Sequence, residues 1–404
     1  MTRRDGIGAA GIAVTAAGVL ANLLAYVVPV LGARQLTAAD LSALATLLAM
    51  TAIAGVASTG LQIAVAVHRA RFGPSPATRS AVLTVAVTAG ALLAALPVAV
   101  LVLRLPALAT VLAGVSTIGV VAAGRWLGEM QGDQRFLPLA AGLAILAGGR
   151  YGGVVAGLAL GAGLTGSLLI GAATAILVLP VLHVLARRPG VLPVGSPLTA
   201  KAVLTAGTAT LAMLVVSYAD LLLARRFLPF DASGAYAVGT VLTKGALWAP
   251  QVVTVLALPR LAQGNTRTLR LALLLVGASG AVLTAAAAAG GGLAFRLAGG
   301  PDYASLGRYA PVFAATGALY GLVFVLVNAQ VAAGARWPSG PLWIVTAGFV
   351  AAAWLVLPHT LAGIAFGALG AATAALAATT VLVGLRMRRA VTERQPERGT
   401  LSIG

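Results

Sequence analysis

Two ionisable side chains in the stretch 200–260 stand where hydrocarbon should exclude them: Asp220 in one apolar segment and Lys244 in the next. A charge at bilayer depth costs about 3 kcal/mol by insertion scales, so it faces a water-filled cavity or a partner. Lys244 falls about ten residues beyond the turn at Ser233 and Gly234, roughly 15 Å along a helix and near the midplane of a core about 30 Å thick. An ammonium there suits an anionic headgroup, or an internal ion pair with Asp220 that only locks two helices together. The segment around it has a face: Tyr236, Thr240, Thr243, Lys244, Trp248 and Gln251 recur at spacings of three and four, so one stripe of an apolar helix is polar and aromatic and should line something wet. Pro250 removes a backbone donor and is expected to bend that helix. Arg150 is the second cation inside an apolar segment, lining a cavity or snorkelling to the surface according to where its helix begins.

These residues need elements that cross a membrane to hold them. Of the 404 residues, 60% are hydrophobic and 9% charged, and the mean hydropathy is +0.99, too apolar for a soluble chain of this size. The 50 glycines fit the same class, because small residues let helices approach closely in lipid. With no cysteine, disulfides, thiolate metal sites and cysteine nucleophiles are excluded. The formal charge of +18 is almost wholly arginine at helix ends, which reads as membrane orientation and anionic lipid contact rather than nucleic-acid binding. MTRRDG leads into an apolar run that continues past signal-peptide length to Leu31 and reads as a first span.

Twelve spans are expected, near 8–31, 41–67, 80–103, 106–128, 137–161, 164–186, 202–224, 233–258, 269–295, 307–333, 340–358 and 361–385. The weakest boundary is between the fifth and sixth, where Gly161 to Gly166 is the only turn signal. With the N-terminus inside, nineteen cations fall on the inner side and six on the outer, with Arg150 and Lys244 left within the membrane. An even count of spans preserves that bias in every loop, so both termini are expected in the cytoplasm.

The chain also repeats itself. Ala33, Arg34, Leu36 and Asp40 follow the first span; Ala224, Arg225, Phe227 and Asp231 follow the seventh, each displaced by 191 residues, and Arg69 maps onto Arg260 in the same register. The pattern A-R-x-[LF]-x3-D implies a duplicated six-helix unit, its halves related by an axis along the membrane normal. The expected division is a bundle at 1–188, a cytoplasmic linker at 189–201 within RRPGVLPVGSPLTAK, a second bundle at 202–391 and a disordered cytoplasmic tail at 392–404.

Other polar residues have plainer expectations. Asn22 near the middle of the first span, Ser58 and Gln62 one turn apart on the second, and Asn328 and Gln330 on the tenth are candidates for hydrogen bonds between helices, with Asn22 also a candidate substrate contact. Gly149, Gly153, Gly157 and Gly161 form a ridge suited to close packing. Enzymatic chemistry lacks its parts: Asp220 is the one acid inside a span, and His68, His183 and His359 lie far apart near helix ends. No metal-ligand spacing, nucleophile elbow or phosphate loop appears, so no enzyme, cofactor or metal is expected.

Two regions carry a family likeness: NLLAYVVPVLGARQLTAADLSALATL with GLQIAVAV, and YADLLLARRFLPFDASGAYAVGTVLTKGALWAPQVVTVLALPRLA. The chain resembles the oligosaccharide-flippase branch of the multidrug/oligosaccharidyl-lipid/polysaccharide (MOP) flippase superfamily, although lipid II flippases, which are similar, typically have two further helices. The resemblance implies an all-α membrane protein with two pseudo-symmetric six-helix bundles around a central cavity. It also implies alternating access, carrying a polyprenyl-diphosphate-linked glycan across the cytoplasmic membrane. Asp220, Tyr236, Lys244 and Pro250 match the family pattern, and Arg150 more loosely. On that reading Lys244 and Arg150 take the diphosphate, Tyr236 and Trp248 stack on sugars, Thr240, Gln251 and Asn22 add polar contacts, and Asp220 balances charge or carries a coupling ion. Expected partners are the lipid-linked glycan, membrane lipids and glycosyltransferases or polymerases of the same pathway, with the chain itself a monomer. The rivals are a cation-coupled multidrug antiporter of the same superfamily, which would want several cavity acids, and a non-transporting scaffold of a glycan-assembly complex.

Overall fold

Long apolar stretches broken by arginine, proline and glycine turns give a chain of helices. The computed structural model describes residues 3–72, 77–187, 200–248, 266–332 and 337–394, and among these there is no strand. The helices are α1 (Arg3–Gln35), α2 (Ala38–Ala54), α3 (Val56–Phe72), α4 (Thr78–Pro97), α5 (Ala107–Gly132), α6 (Phe136–Ala147), α7 (Gly153–Ala159), α8 (Gly163–Ala186), α9 (Ala200–Phe227), α10 (Phe230–Trp248), α11 (Thr266–Gly299), α12 (Ala310–Ala332), α13 (Gly340–Leu355) and α14 (Leu361–Arg394). Within the described residues each of the twelve expected spans falls on one helix or on successive pieces of one; 249–258 of the eighth and 333 of the tenth lie outside them. Among the described residues ten segments are long and apolar enough to cross a membrane and α13 is a shorter apolar helix. The chain is a multi-pass membrane protein.

Three irregularities were not legible as such. The second span breaks at Gly55 into α2 and α3. The third span ends in a π-helical turn at Val98–Val102, and a second π turn, Gly148–Gly152, joins α6 to α7. The uncertain boundary between fifth and sixth spans is a real turn, made by Gly161 and Gly163 at φ of +72° and +67°, values that glycine adopts without a Cβ penalty.

Packing follows small residues. On α5, Gly124, Gly128 and Gly132 lie four apart and meet Ser58, Gln62 and Ala66 of α3, also four apart; a Cβ on Gly128 would stand 2.6 Å from the Gln62 carbonyl oxygen. The polar groups between these two helices close on one another: Ser58 Oγ donates to the Val120 carbonyl at 2.7 Å, Gln62 Nε2 to Gln131 Oε1 at 2.9 Å, and Arg69 grips Asp133 through Nε and Nη2 at 2.7 and 3.1 Å. The expected ridge of the fifth span packs on α8, where a Cβ on Gly149 would meet Val178 at 2.7 Å and one on Gly157 would meet Ser167 Cα at 2.5 Å. Gln330 accepts from Arg386 at 2.9 Å, joining α12 to α14, whereas Asn328 turns back to the Phe324 carbonyl of its own helix.

The 191-residue displacement reappears in the structure to within one residue, the matching helix boundaries standing 192 apart. Helix α1 ends at Gln35 and α9 at Phe227; α2 begins at Ala38 and α10 at Phe230. Ser42 and Ser233, themselves 191 apart, are both fully buried and share a hydrogen bond between hydroxyls.

The chain packs as two compact units. The larger holds Met1–Leu214, Leu221–Val241 and Arg296–Tyr303; the smaller holds Val215–Asp220, Leu242–Phe295 and Ala304–Gly404. The start of the second half, one end of α10 and the end of α11 thus associate with first-half helices. Of the linker, 189–199 lies outside the described residues, as does the tail from 395.

Candidate functional site

Lys244 is held inside the smaller unit by α9 and α12. Helix α12 comes close because Gly317 has no side chain: a Cβ there would collide with the Thr243 carbonyl and stand 3.0 Å from Ala246 Cβ. The ammonium of half-buried Lys244 donates to the Ser217 carbonyl at 2.5 Å and lies 3.2 Å from Ser217 Oγ, 3.4 Å above the centre of the Tyr218 ring. These are neutral acceptors and a π face, and among the described residues no carboxylate stands in salt-bridge contact with the ammonium. Asp220, one turn further along α9 and 3% exposed, is the carboxylate whose charge acts on Lys244. It also acts on Tyr320, a residue of α12 that is 1% exposed and donates to the Val216 carbonyl at 3.1 Å. Tyr320 escaped the sequence reading because an aromatic in an apolar span is no anomaly; the glycine three residues before it was the available signal.

The rest of the expected stripe behaves differently. Tyr236 is fully buried and Thr240 is 7% exposed with its hydroxyl donating to the Ala237 carbonyl of its own helix at 2.6 Å. Neither presents a wet surface in this conformation, because the neighbours of α10 cover that part of its face. Both belong to the larger unit, whereas Lys244 belongs to the smaller. Thr243 is 1% exposed, and its hydroxyl has no hydrogen-bond partner among the described residues. The Trp248 side chain, Pro250 and Gln251 lie outside the described residues, and Asn22 is exposed on α1.

Arg150 sits in the larger unit on the π turn between α6 and α7, in the run Gly148–Gly152. A π turn frees a backbone carbonyl, and here Thr174 Oγ1 supplies Gly149 with a donor at 2.6 Å. Half-buried Arg150 donates through Nη2 to Thr51 Oγ1 at 3.3 Å. Among the described residues no carboxylate forms an ion pair with it. Thr51 also borders an apolar cavity of about 170 Å³, lined with it by Leu47, Met50, Leu92, Leu96 and Gly114.

Among the described residues no cluster of His, Asp or Glu could hold a metal ion. No family model matches the sequence, and no curated protein matches it. Solved structures do. An inward-facing multidrug resistance MATE transporter of the MOP superfamily superposes with a TM-score of 0.69 over 93% of this chain and 96% of its own, at 13% identity. The chain has the MOP fold. The lipid II flippase MurJ, in an inward closed conformation, gives 0.67 at 12% identity, covering 92% of this chain and 87% of MurJ. The eukaryotic MATE transporter AtDTX14 gives 0.59 at 13% identity over 94% and 93%. The MOP fold brings two pseudo-symmetric bundles, in keeping with the internal repeat. The identities are low enough that shape, not substrate, is what is shared.

Proposed function

We propose that this protein is a flippase that carries a polyprenyl-diphosphate-linked oligosaccharide or polysaccharide precursor across the cytoplasmic membrane, with Lys244 and Arg150 as the groups that take the diphosphate. The observation that carries the reading is the charge inventory inside the expected spans: two cations against one acid, with one cation, Arg150, meeting a hydroxyl and an aromatic ring and, among the described residues, no carboxylate. A cation in a region of reduced dielectric with neutral partners is preorganised for an anion, because binding need not first break an ion pair. Lys244 would exchange the Ser217 carbonyl and hydroxyl for phosphate oxygens, while Asp220 balances its charge when the site is empty.

The rival within the same fold is a multidrug antiporter, and two of the neighbours named above are MATE transporters. A cationic substrate would meet Lys244 and Arg150 as repulsion, and Asp220, 3% exposed, is poorly placed to receive it. Proteoliposomes loaded with a fluorescent lipid-linked oligosaccharide separate the two. Losing one charge-assisted contact of about 1.5–3 kcal/mol lowers the rate about tenfold to a hundredfold, so Lys244→Ala and Arg150→Ala should each do so. Full rates in both variants would remove the headgroup assignment, and uptake of a cationic dye in their place would favour the antiporter.

A further inference from the structure

The repeated motif A-R-x-[LF]-x3-D contains a residue that substrate chemistry does not use. Arg225 is 4% exposed and its guanidinium is spent on three backbone carbonyls: Nε to Leu103 at 3.0 Å, Nη2 to Arg104 at 2.9 Å and Nη1 to Ala39 at 3.1 Å. Its face stacks on Phe230 at 4.9 Å. All three acceptors belong to the first half of the chain, although Arg225 belongs to the second. Leu103 and Arg104 follow the last turn of the third span, where carbonyls have lost their helical donors and the dipole favours a cation. Arg104 takes a φ of +53°, a conformation costly for a residue with a side chain and held when its surroundings over-determine it.

The counterpart of Arg225 is Arg34, and it does the same thing in reverse. It reaches from the first half to Leu297, at the end of α11, which is the third span of the second half. That bond is 3.5 Å long and exposed, so the two arginines form one strong arm and one weak. Between them lies the Ser42 and Ser233 hydroxyl pair, with Gly234 admitting the Ala38 carbonyl at 2.6 Å from where its Cβ would be. Symmetry-related residues touch each other only beside the axis that relates them. The serine pair therefore marks the axis of the duplication, and the arginines cross it in both directions. All of these residues fall within the larger unit.

We propose that this cluster is the clasp that closes one face of the transporter, with Arg225 as its positioning residue and the serine pair at its centre. Resting on the transport reading above, it holds that every turnover requires the three carbonyl bonds of Arg225 to break and re-form. The fold itself is recorded in more than one state, inward-facing in one protein and inward closed in another. A buried cation on three carbonyls suits a reversible closure: it is strong when all three bonds form together, and the charge of Asp40 acts on it from nearby without a salt-bridge contact among the described residues.

The chain contains no cysteine, which makes the test clean. Hydroxyls in hydrogen-bond contact place their Cβ atoms within reach of a disulfide, so Ser42→Cys with Ser233→Cys should cross-link on mild oxidation. The cross-linked protein should move fluorescent lipid-linked oligosaccharide at least tenfold more slowly in proteoliposomes, and reductant should restore the rate. In detergent, with no substrate, the lone Ser42→Cys variant should react slowly with maleimide; adding Arg225→Ala should speed that reaction severalfold, and adding Arg34→Ala should do so less. Arg225→Lys, which keeps the charge but reaches fewer carbonyls, gives an intermediate rate and serves if Arg225→Ala does not fold. Transport undiminished by the cross-link, or maleimide reactivity unchanged by both Arg225 substitutions, overturns the clasp. Absence of oligosaccharide movement in every variant, with reactivity rising as described, overturns the flippase reading and leaves the clasp standing.

Discussion

At the scale of single residues, the informative ones are those whose chemistry conflicts with hydrocarbon. Asp220, Lys244 and Arg150 stand out in the sequence for that reason, and the structure gives each a specific arrangement rather than a common one. Lys244 rests on the Ser217 carbonyl and the Tyr218 ring with the buried charge of Asp220 nearby. Removing one member of such a pair strands the other, at about 3–5 kcal/mol, while removing both costs much less. Lys244→Met should therefore lower the unfolding midpoint more than Lys244→Met combined with Asp220→Asn. The two substitutions should show a coupling of about 0.5–3 kcal/mol in a double-mutant cycle read by equilibrium unfolding in mild detergent. Additive effects would show that the two charges do not sense one another. What the sequence could not supply is which residues cover a helix face. The spacing of Tyr236, Thr240 and Lys244 puts them on one stripe of α10, but neighbours bury the first two completely or nearly so, and the Thr240 hydroxyl is consumed by its own backbone.

At the scale of elements, periodicity and turn residues placed the spans that the described residues cover, because a run of twenty apolar residues has few alternatives in lipid. The departures from regularity were hidden. The break at Gly55 and the π turn carrying Arg150 arise from glycine-rich runs, and with 50 glycines in the chain no single one announces a distortion. The same abundance concealed the tightest helix contact. Gly124, Gly128 and Gly132 acquire meaning only when Ser58, Gln62 and Ala66 are seen opposite them in matching register. Two glycines of α5 give a controlled test. A Cβ on Gly128 would meet the Gln62 carbonyl at 2.6 Å and Val65 Cβ at 2.8 Å, whereas the nearest atom to one on Gly114 is Leu92 Cδ1 at 3.9 Å. Gly128→Val should cost about 1–3 kcal/mol by overpacking, and Gly114→Val should be nearly neutral, both read by thermal unfolding in detergent. Since both sites are helical and share a helix, a difference between them measures contact and not intrinsic helix preference.

At the scale of the whole molecule, the duplication was legible because it preserved letters at the loop ends, where Arg34 and Arg225 bind carbonyls of the opposite half. Packing adds what the letters do not carry: it places Leu221–Val241 and Arg296–Tyr303 in the unit that holds the first-half helices. A duplication whose halves share an orientation requires an even number of spans between equivalent points, and the charge bias predicts which way the whole chain faces. Nineteen cations against six is a strong bias, and cations near span ends set orientation more than acids do. The absence of native cysteine lets single substitutions report it. Gln35→Cys and Asp302→Cys sit at exposed positions on the side with few cations; Thr78→Cys, Arg187→Cys and Trp337→Cys sit at exposed positions on the other. An impermeant maleimide applied to intact cells should label the first two, and the remaining three should react only once the membrane is permeabilised. The complete reversal of that pattern would invert the chain, exchanging the leaflets between which substrate moves but leaving the duplication intact. A mixed pattern within either set would mean that one helix fails to cross, and two halves of opposite orientation could not be related by an axis along the membrane normal.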